Sequence, residues 1–85
     1  MKHAGPDTLR LLASLLNAVR TDTSLVERTP GSFYRKSKAY LHFHEDPAGI
    51  FADVKLDGMS FTRLRVSTAT EQAQLLKLMA QACVK

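Results

Sequence analysis

Regular alternation of side-chain character through the middle of the chain constrains the fold more than any other feature. One side of each predicted strand carries apolar or small residues, in three runs: Ala39, Leu41 and Phe43; Ile50, Ala52, Val54 and Leu56; Thr62, Leu64 and Val66. Side chains two residues apart in a β-strand point to the same face of the sheet. The pattern therefore predicts three antiparallel strands with one buried face, and residues 25–28 are predicted as a fourth strand at the edge.

The first connection between these strands predicts how they pair. A four-residue loop at positions 45–48 places Phe43 opposite Ile50 and Tyr40 opposite Asp53. Apolar residues then face apolar residues across the two strands, as a shared buried face requires. We therefore predict an antiparallel hairpin in this register.

The second connection contains Asp57 and Gly58, which are typical of a tight turn. A two-residue turn would set Ala52 opposite Arg63 and bury the guanidinium group. A three-residue loop with a glycine bulge restores the match between apolar positions. We predict the bulged loop, and with it Asp53 beside Arg63.

Two amphipathic helices are predicted to flank the strands. The first begins at Pro6, and the second begins with a capping box in which Thr68 and Glu71 exchange hydrogen bonds with each other's backbone amides. The apolar stripe of the first helix is Leu9, Leu12, Leu16 and Val19, widened by Leu11 and Leu15. Because only one sheet face offers apolar cover, we predict an α+β two-layer sandwich with both the N-terminal and the C-terminal helix on that face.

Length and composition predict one domain. We expect residues 1–85 to form a single α+β domain, with residues 1–6 frayed because they show no periodicity. The only cysteine, Cys83, excludes an intramolecular disulfide framework. There is no run of about 18 apolar residues and no secretory signal, so we expect a cytoplasmic protein that does not enter membranes. The formal net charge of +4 favours anionic partners.

The sheet face opposite the helices is the main candidate for function. It combines aromatic residues with cations, a composition typical of binding surfaces. The predicted partner-binding residues are Tyr40, Phe51, Asp53, Lys55, Phe61, Arg63 and Arg65. We interpret this face as the surface of a non-enzymatic binding module that forms a homodimer or binds a protein partner. The plainer alternative is a solvated polar face, which antiparallel sheets commonly show to water.

Nucleic-acid binding is a second interpretation of the same face. Bases would stack on Tyr40, Phe51 and Phe61, because every base has a π-face. Phosphates would meet the cations Lys38, Lys55, Arg63 and Arg65. The aromatic motif and the element order of an RNA-recognition domain are absent from the sequence.

A divalent-metal site is a third interpretation. His42 and His44 point to the same side of one strand, and two imidazoles so placed can chelate Zn²⁺. Asp53 or Glu45 would supply a carboxylate as the third ligand. The plainer alternative is two surface histidines on a solvated strand, and His3 in the frayed start is expected to contribute nothing.

Catalytic motifs are missing from the sequence. There is no GxSxG elbow and no glycine-rich phosphate loop, and Cys83 falls on the apolar face of the last helix. A cleft of several hundred Å³ would also cost so short a chain much of its core. We therefore expect no enzymatic activity and no cofactor.

Residues 31–46, with their continuation at 52–56 and 63–66, resemble short bacterial proteins of unknown function. The order of lysine, aromatic residue, hairpin, Val54-Lys55-Leu56 and helix is more distantly similar to the MmcQ/YjbR-like family. This chain has no tryptophan, and it lacks the arginine-rich stretch between the last strand and helix that is associated with that family. The resemblance implies a bacterial cytoplasmic protein, and DNA binding is the activity often assumed for the family.

Overall fold

A computed structural model describes residues 2–82 of the chain. Its elements in chain order are β1 (Lys2–His3), α1 (Pro6–Leu11), α2 (Ala13–Arg20), β2 (Val26–Thr29), β3 (Ser32–Arg35), β4 (Lys38–Asp46), β5 (Gly49–Val54), β6 (Thr62–Arg65) and α3 (Ala69–Ala82). The class is α+β with an antiparallel sheet, as predicted. No helix among residues 2–82 is long and apolar enough to cross a membrane.

The sheet has six strands rather than the predicted three or four. Its order is β2-β3-β4-β5-β6, and β1 also pairs with β4. The edge strand predicted at 25–28 is present as β2, whereas β3 was not predicted. The turn between β3 and β4 explains the omission, because Lys36 and Ser37 adopt positive φ angles of 52° and 67° where glycine or asparagine is usual. The sequence therefore carries no turn signal at that point.

The N-terminal residues differ from the expectation that residues 1–6 are frayed. Lys2 pairs with Glu45 and His3 pairs with His44. The backbone N–H of Ala4 donates to the carbonyl of Phe43 at 3.1 Å. β1 pairs with the edge of β4 that β3 leaves unpaired beyond Leu41. The sequence did not indicate β1, because a two-residue strand is too short to show a hydrophobic period.

The β4–β5 hairpin is antiparallel, but its register is two residues away from the predicted one. Phe43 lies opposite Ala52, and His42 lies opposite Asp53. The turn uses only Pro47 and Ala48 because β4 extends to Asp46, whose carboxylate accepts a hydrogen bond from the Ala48 amide at 3.0 Å. A shift of two residues leaves the side chains that are paired between β4 and β5 on their predicted faces.

The β5–β6 pairing has the predicted register. Ala52 lies opposite Leu64, and Asp53 lies opposite Arg63. The connection itself is longer than the predicted three-residue loop and spans residues 55–61. Asp57 organises it, because one carboxylate oxygen accepts hydrogen bonds from the amides of residues 59 and 60 at 2.8 and 3.0 Å.

The predicted first helix is divided at Leu12, whose φ and ψ of −95° and 9° separate α1 from α2. Of the residues expected to widen its apolar stripe, Leu15 is buried and Leu11 is 74% exposed. The capping box at the start of α3 is confirmed. The Glu71 amide donates to Thr68 Oγ1 at 3.1 Å, and the Thr68 amide donates to Glu71 Oε1 at 3.0 Å.

One continuous core joins the helices to one face of the sheet. Its buried residues are Leu12, Leu15, Leu16, Val19, Phe33, Tyr40, Leu41, Phe43, Ala52, Val54, Val66, Leu75 and Met79. Tyr40 was expected on the opposite face. The pairing of β3 with β4 shifts at this point, because Phe33 pairs with Leu41 while Tyr34 pairs with Ala39. Tyr40 is thus an extra residue in a β-bulge, which turns its side chain into the core.

Replacing Thr68 with alanine removes one half of the capping box and tests its contribution. We expect the free energy of unfolding to fall by about 1 kcal/mol, because an N-cap hydroxyl satisfies a backbone amide of the first turn. Urea unfolding followed by circular dichroism measures the change. Thr70→Ala is the matched control, since Thr70 is exposed in the same turn. Equal losses in the two variants would contradict the capping role.

Candidate functional site

The sheet face opposite the helices carries a cluster of ionisable side chains at its centre. His42 and His44 come from β4, and Asp53 is the last residue but one of β5. Strand pairing brings them together, because His42 lies directly opposite Asp53 and His44 lies two residues further along β4. We call these three residues the His–His–Asp cluster.

The potential ligand atoms of the His–His–Asp cluster lie within a few ångströms of one another. His42 Nδ1 is 2.9 Å from His44 Nε2, and His44 Nε2 is 3.1 Å from Asp53 Oδ2. His42 Nδ1 is 3.9 Å from the same carboxylate oxygen. Ligand atoms bound to one tetrahedral Zn²⁺ are separated by about 3.3 Å, given bonds of about 2.0–2.2 Å. The three distances bracket that separation.

The arrangement differs from a hydrogen-bonded relay through His44. In a relay, one ring nitrogen of the central histidine would face each neighbour. Here the same atom, His44 Nε2, faces both His42 Nδ1 and Asp53 Oδ2. All three atoms therefore converge on one point, which is the geometry that a shared cation requires.

Arg63 holds the carboxylate of Asp53 in place. Its Nε donates to Oδ1 at 2.8 Å, and its Nη2 donates to Oδ2 at 2.9 Å. The Asp53 side chain is only 9% exposed. The hydrogen bonds from Arg63, opposed by burial, lower the pKa of Asp53 below its ordinary value. Asp53 is thus a carboxylate at neutral pH, the form that ligates metal.

His42 has the protonation state that metal binding needs. Burial is the main cause that lowers its pKa below the ordinary value, and repulsion from His44 adds to the effect. The negative charge of Asp53 raises the pKa of His42, but by less than burial and His44 lower it. At neutral pH the ring is therefore uncharged, and a neutral imidazole has a nitrogen lone pair available for a cation.

Two further rings border the cluster. The ring centroid of His3 lies 4.8 Å from that of His44 and 6.1 Å from that of His42. On the other side, the ring of Phe61 meets His42 edge-on at 4.8 Å, with Lys55 Nζ 5.0 Å from the Phe61 centroid. His3 was expected to contribute nothing, and no pattern around it in the sequence indicated the strand that brings it here.

Glu45, the alternative third ligand, is engaged elsewhere. Its carboxylate accepts hydrogen bonds from the Gly5 amide at 3.1 Å and from the hydroxyl of Thr8. Lys2 Nζ lies 3.3 Å from its other oxygen. These contacts direct Glu45 toward the start of α1, whereas Asp53 faces the two histidines.

The predicted partner-binding residues differ in how far they are exposed to solvent. Phe61, Arg63 and Arg65 are exposed, Phe51 and Lys55 are half-buried, and Tyr40 and Asp53 are buried. Arg65 Nη1 lies 3.2 Å from Glu71, and Arg63 is paired with Asp53. The two arginines that would meet phosphates in the nucleic-acid hypothesis thus both have carboxylate partners, and one of its three stacking rings belongs to the core.

Comparison with known proteins adds no relative, because no family model, no curated protein and no solved structure matches the chain. The similarity to the MmcQ/YjbR-like family stays a prediction. The geometry of the described residues is therefore the basis for the functional argument.

Replacing Asp53 with asparagine tests the electrostatic role of this carboxylate in the metal-free protein. The folded pKa of Asp53 is lowered, so its stabilising contribution is present above the unfolded pKa of about 3.9 and is lost as the pH falls through the folded value. With a chelator present, we expect Asp53→Asn to reduce the free energy of unfolding at pH 7 by about 1 kcal/mol. The difference from the unsubstituted protein should shrink below pH ~4. A difference that is constant across this range would contradict the assignment.

Proposed function

We propose that the protein binds a divalent transition-metal ion through His42, His44 and Asp53. The observation that carries this proposal is the convergence of His42 Nδ1, His44 Nε2 and Asp53 Oδ2 within 3.9 Å of one another. Two imidazoles and one carboxylate suit Zn²⁺, which prefers nitrogen and oxygen ligands in tetrahedral geometry. Among residues 2–82, no other group of three or more such side chains is placed close enough to share an ion.

The surroundings of the cluster support the same proposal. Arg63 donates to both oxygens of Asp53, at 2.8 Å to Oδ1 and at 2.9 Å to Oδ2, and it thereby holds Oδ2 toward the histidines, 3.1 Å from His44 Nε2. Hydrogen bonds of this kind orient metal-ligating carboxylates in many sites. Asp53 would then bind the ion through one oxygen while Arg63 fixes the orientation of the group.

The proposed role is binding rather than hydrolysis. A cavity of about 230 Å³ adjoins His3 and His42 and is otherwise lined by residues of β3 and β4, whereas His44 and Asp53 do not line it. Clefts that enclose small-molecule substrates usually occupy about 300–1,000 Å³. The side chains of His42, His44 and Asp53 are only 23%, 14% and 9% exposed, which favours a bound ion over a substrate cleft.

Titration of the metal-free protein with Zn²⁺ at pH 7.5 tests the proposal. Isothermal calorimetry should show one site per chain, and the ring signals of His42 and His44 should shift in NMR spectra. A hundredfold excess of Zn²⁺ over the dissociation constant should raise the free energy of unfolding by about 2.7 kcal/mol. Removing the ion with a chelator should reverse this gain.

Substitutions locate the site. We expect His42→Gln and His44→Gln to weaken Zn²⁺ binding by about 100-fold or more, and Asp53→Asn to weaken it by about tenfold or more. Asp57→Asn is the matched control, because Asp57 lies in the exposed loop before β6. The proposal fails if the unsubstituted protein does not bind Zn²⁺, or if the substitutions at positions 53 and 57 have equal effects.

We propose self-association of two copies as a second function, on a separate observation. Met59 and Phe61 are 84% and 42% exposed, both lie in the β5–β6 connection, and the ring of Phe61 contacts His42. Large exposed apolar side chains are typical of contact surfaces. A second copy could cover both side chains. Burying them would add to the apolar area removed from water, which stabilises a domain whose own core is small.

Sedimentation equilibrium over a range of concentrations tests self-association. The mass should rise from 9.4 kDa toward twice that value, and Phe61→Ser should weaken the dimer by about tenfold. Leu11→Ser serves as a control, since Leu11 is exposed on α1. A mass that stays at 9.4 kDa throughout would rule out a dimer at this surface.

A further inference from the structure

We infer that His3 supplies the fourth ligand of the metal site, so that a bound ion fastens the N-terminal strand β1 to the sheet. The inference rests on the proposed function, because it assigns one more residue to the same ion. A fourth ligand from the protein would also change the coordination of the ion. Three protein ligands leave a coordination position open to water, whereas four protein ligands close the ion off.

Strand pairing places His3 on the correct face. Residues directly opposite each other in antiparallel strands point to the same side of the sheet. His3 lies opposite His44, so its ring stands on the face that carries the His–His–Asp cluster. Neither neighbour of His3 could play this role, because Lys2 pairs with Glu45 and Ala4 carries no ligating group.

Two of the three ring separations match those expected around a shared ion, and the third requires His3 to rotate toward the cluster. Two imidazoles bound to one tetrahedral Zn²⁺ have centroids about 5 Å apart, given bonds of about 2.0–2.1 Å. The His3–His44 and His42–His44 centroid distances are 4.8 and 4.9 Å, and the His3–His42 distance is 6.1 Å. His3 is also exposed, so rotation of its side chain toward the cluster does not disturb the core.

Within residues 2–82, β1 is held by its backbone pairing with β4, by the Lys2–Glu45 ion pair and by the packing of Ala4 against the core. The strand has two exposed residues, and its end is secured by the Ala4 amide, which donates to Phe43 at 3.1 Å. The Lys2–Glu45 ion pair is exposed on the lysine side, and such pairs contribute little. A metal–nitrogen bond from His3 would therefore add a side-chain attachment on the face that carries the His–His–Asp cluster.

Docking of β1 thus becomes dependent on the metal. The ion would join residue 3 to residues 42, 44 and 53, closing long loops of chain at one point. A ligand that binds only the docked form stabilises that form by mass action. The expected consequence is that Zn²⁺ suppresses opening of the N-terminal strand while the rest of the sheet is less affected.

Hydrogen exchange at the Ala4 amide, combined with Zn²⁺ affinity, tests the inference on the full chain. The variants are His3→Gln and, as the matched control in the same strand, Lys2→Gln. We expect saturating Zn²⁺ to slow Ala4 exchange by about tenfold or more in the unsubstituted protein and in Lys2→Gln. In His3→Gln, Zn²⁺ should bind about 10–100-fold more weakly, and bound Zn²⁺ should leave Ala4 exchange unchanged.

The possible failures are distinguishable. If His3→Gln binds Zn²⁺ as tightly as the unsubstituted protein and Zn²⁺ still slows Ala4 exchange in it, the assignment of His3 is wrong while the three-residue site stands. If Lys2→Gln weakens Zn²⁺ binding as much as His3→Gln does, strand pairing rather than ligation explains the loss, and the assignment again fails. If the unsubstituted protein binds no Zn²⁺, both the proposed function and the inference are overturned.

Discussion

The antiparallel pairing of β4 with β5 is the constraint on which the rest of the structure depends. These neighbouring central strands place Leu41, Phe43 and Ala52 beneath the helices. The same two-residue period must then place His42 and Asp53 on the other face. A slip of one residue would expose the core and bury the charges together, so the apolar pattern that stabilises the domain also maintains the cluster.

Much of the fold and part of the site could be predicted from the two-residue alternation of side chains along the strands. The β4–β5 register differs by two residues from the predicted one, yet the side chains at positions 41–44 and 50–54 kept their predicted faces, and the Asp53–Arg63 pair was predicted correctly. The period carries no information about bulges or very short strands. Tyr40 turned inward at a bulge, and His3 arrived on a two-residue strand held by backbone hydrogen bonds that any residue could make. Both errors therefore lie where backbone pairing rather than side-chain pattern decides the structure.

Charge balance explains how the His–His–Asp cluster can exist before an ion binds. Asp53 is ionised because Arg63 donates two hydrogen bonds to it, and burial keeps His42 uncharged. A buried carboxylate without such a partner would favour protonation, and a proton on Oδ2 would block the position that a cation needs. Arg63 thus keeps Asp53 in the form that the proposed metal binding needs, although its own positive charge would oppose the arrival of a cation.

The cluster is an unusual use of a sheet face if its purpose is only to stabilise the fold. Two ring nitrogens lie 2.9 Å apart and a carboxylate oxygen lies 3.1 Å from one of them, so three atoms that can each accept a hydrogen bond share one small space, and a single proton satisfies them only in part. Apolar or charge-paired residues at positions 42 and 44 would cover the sheet without this conflict. Local arrangements that oppose stability are concentrated at functional sites. A divalent cation would satisfy all three atoms at once, which is the physical reason for proposing that the cluster binds metal.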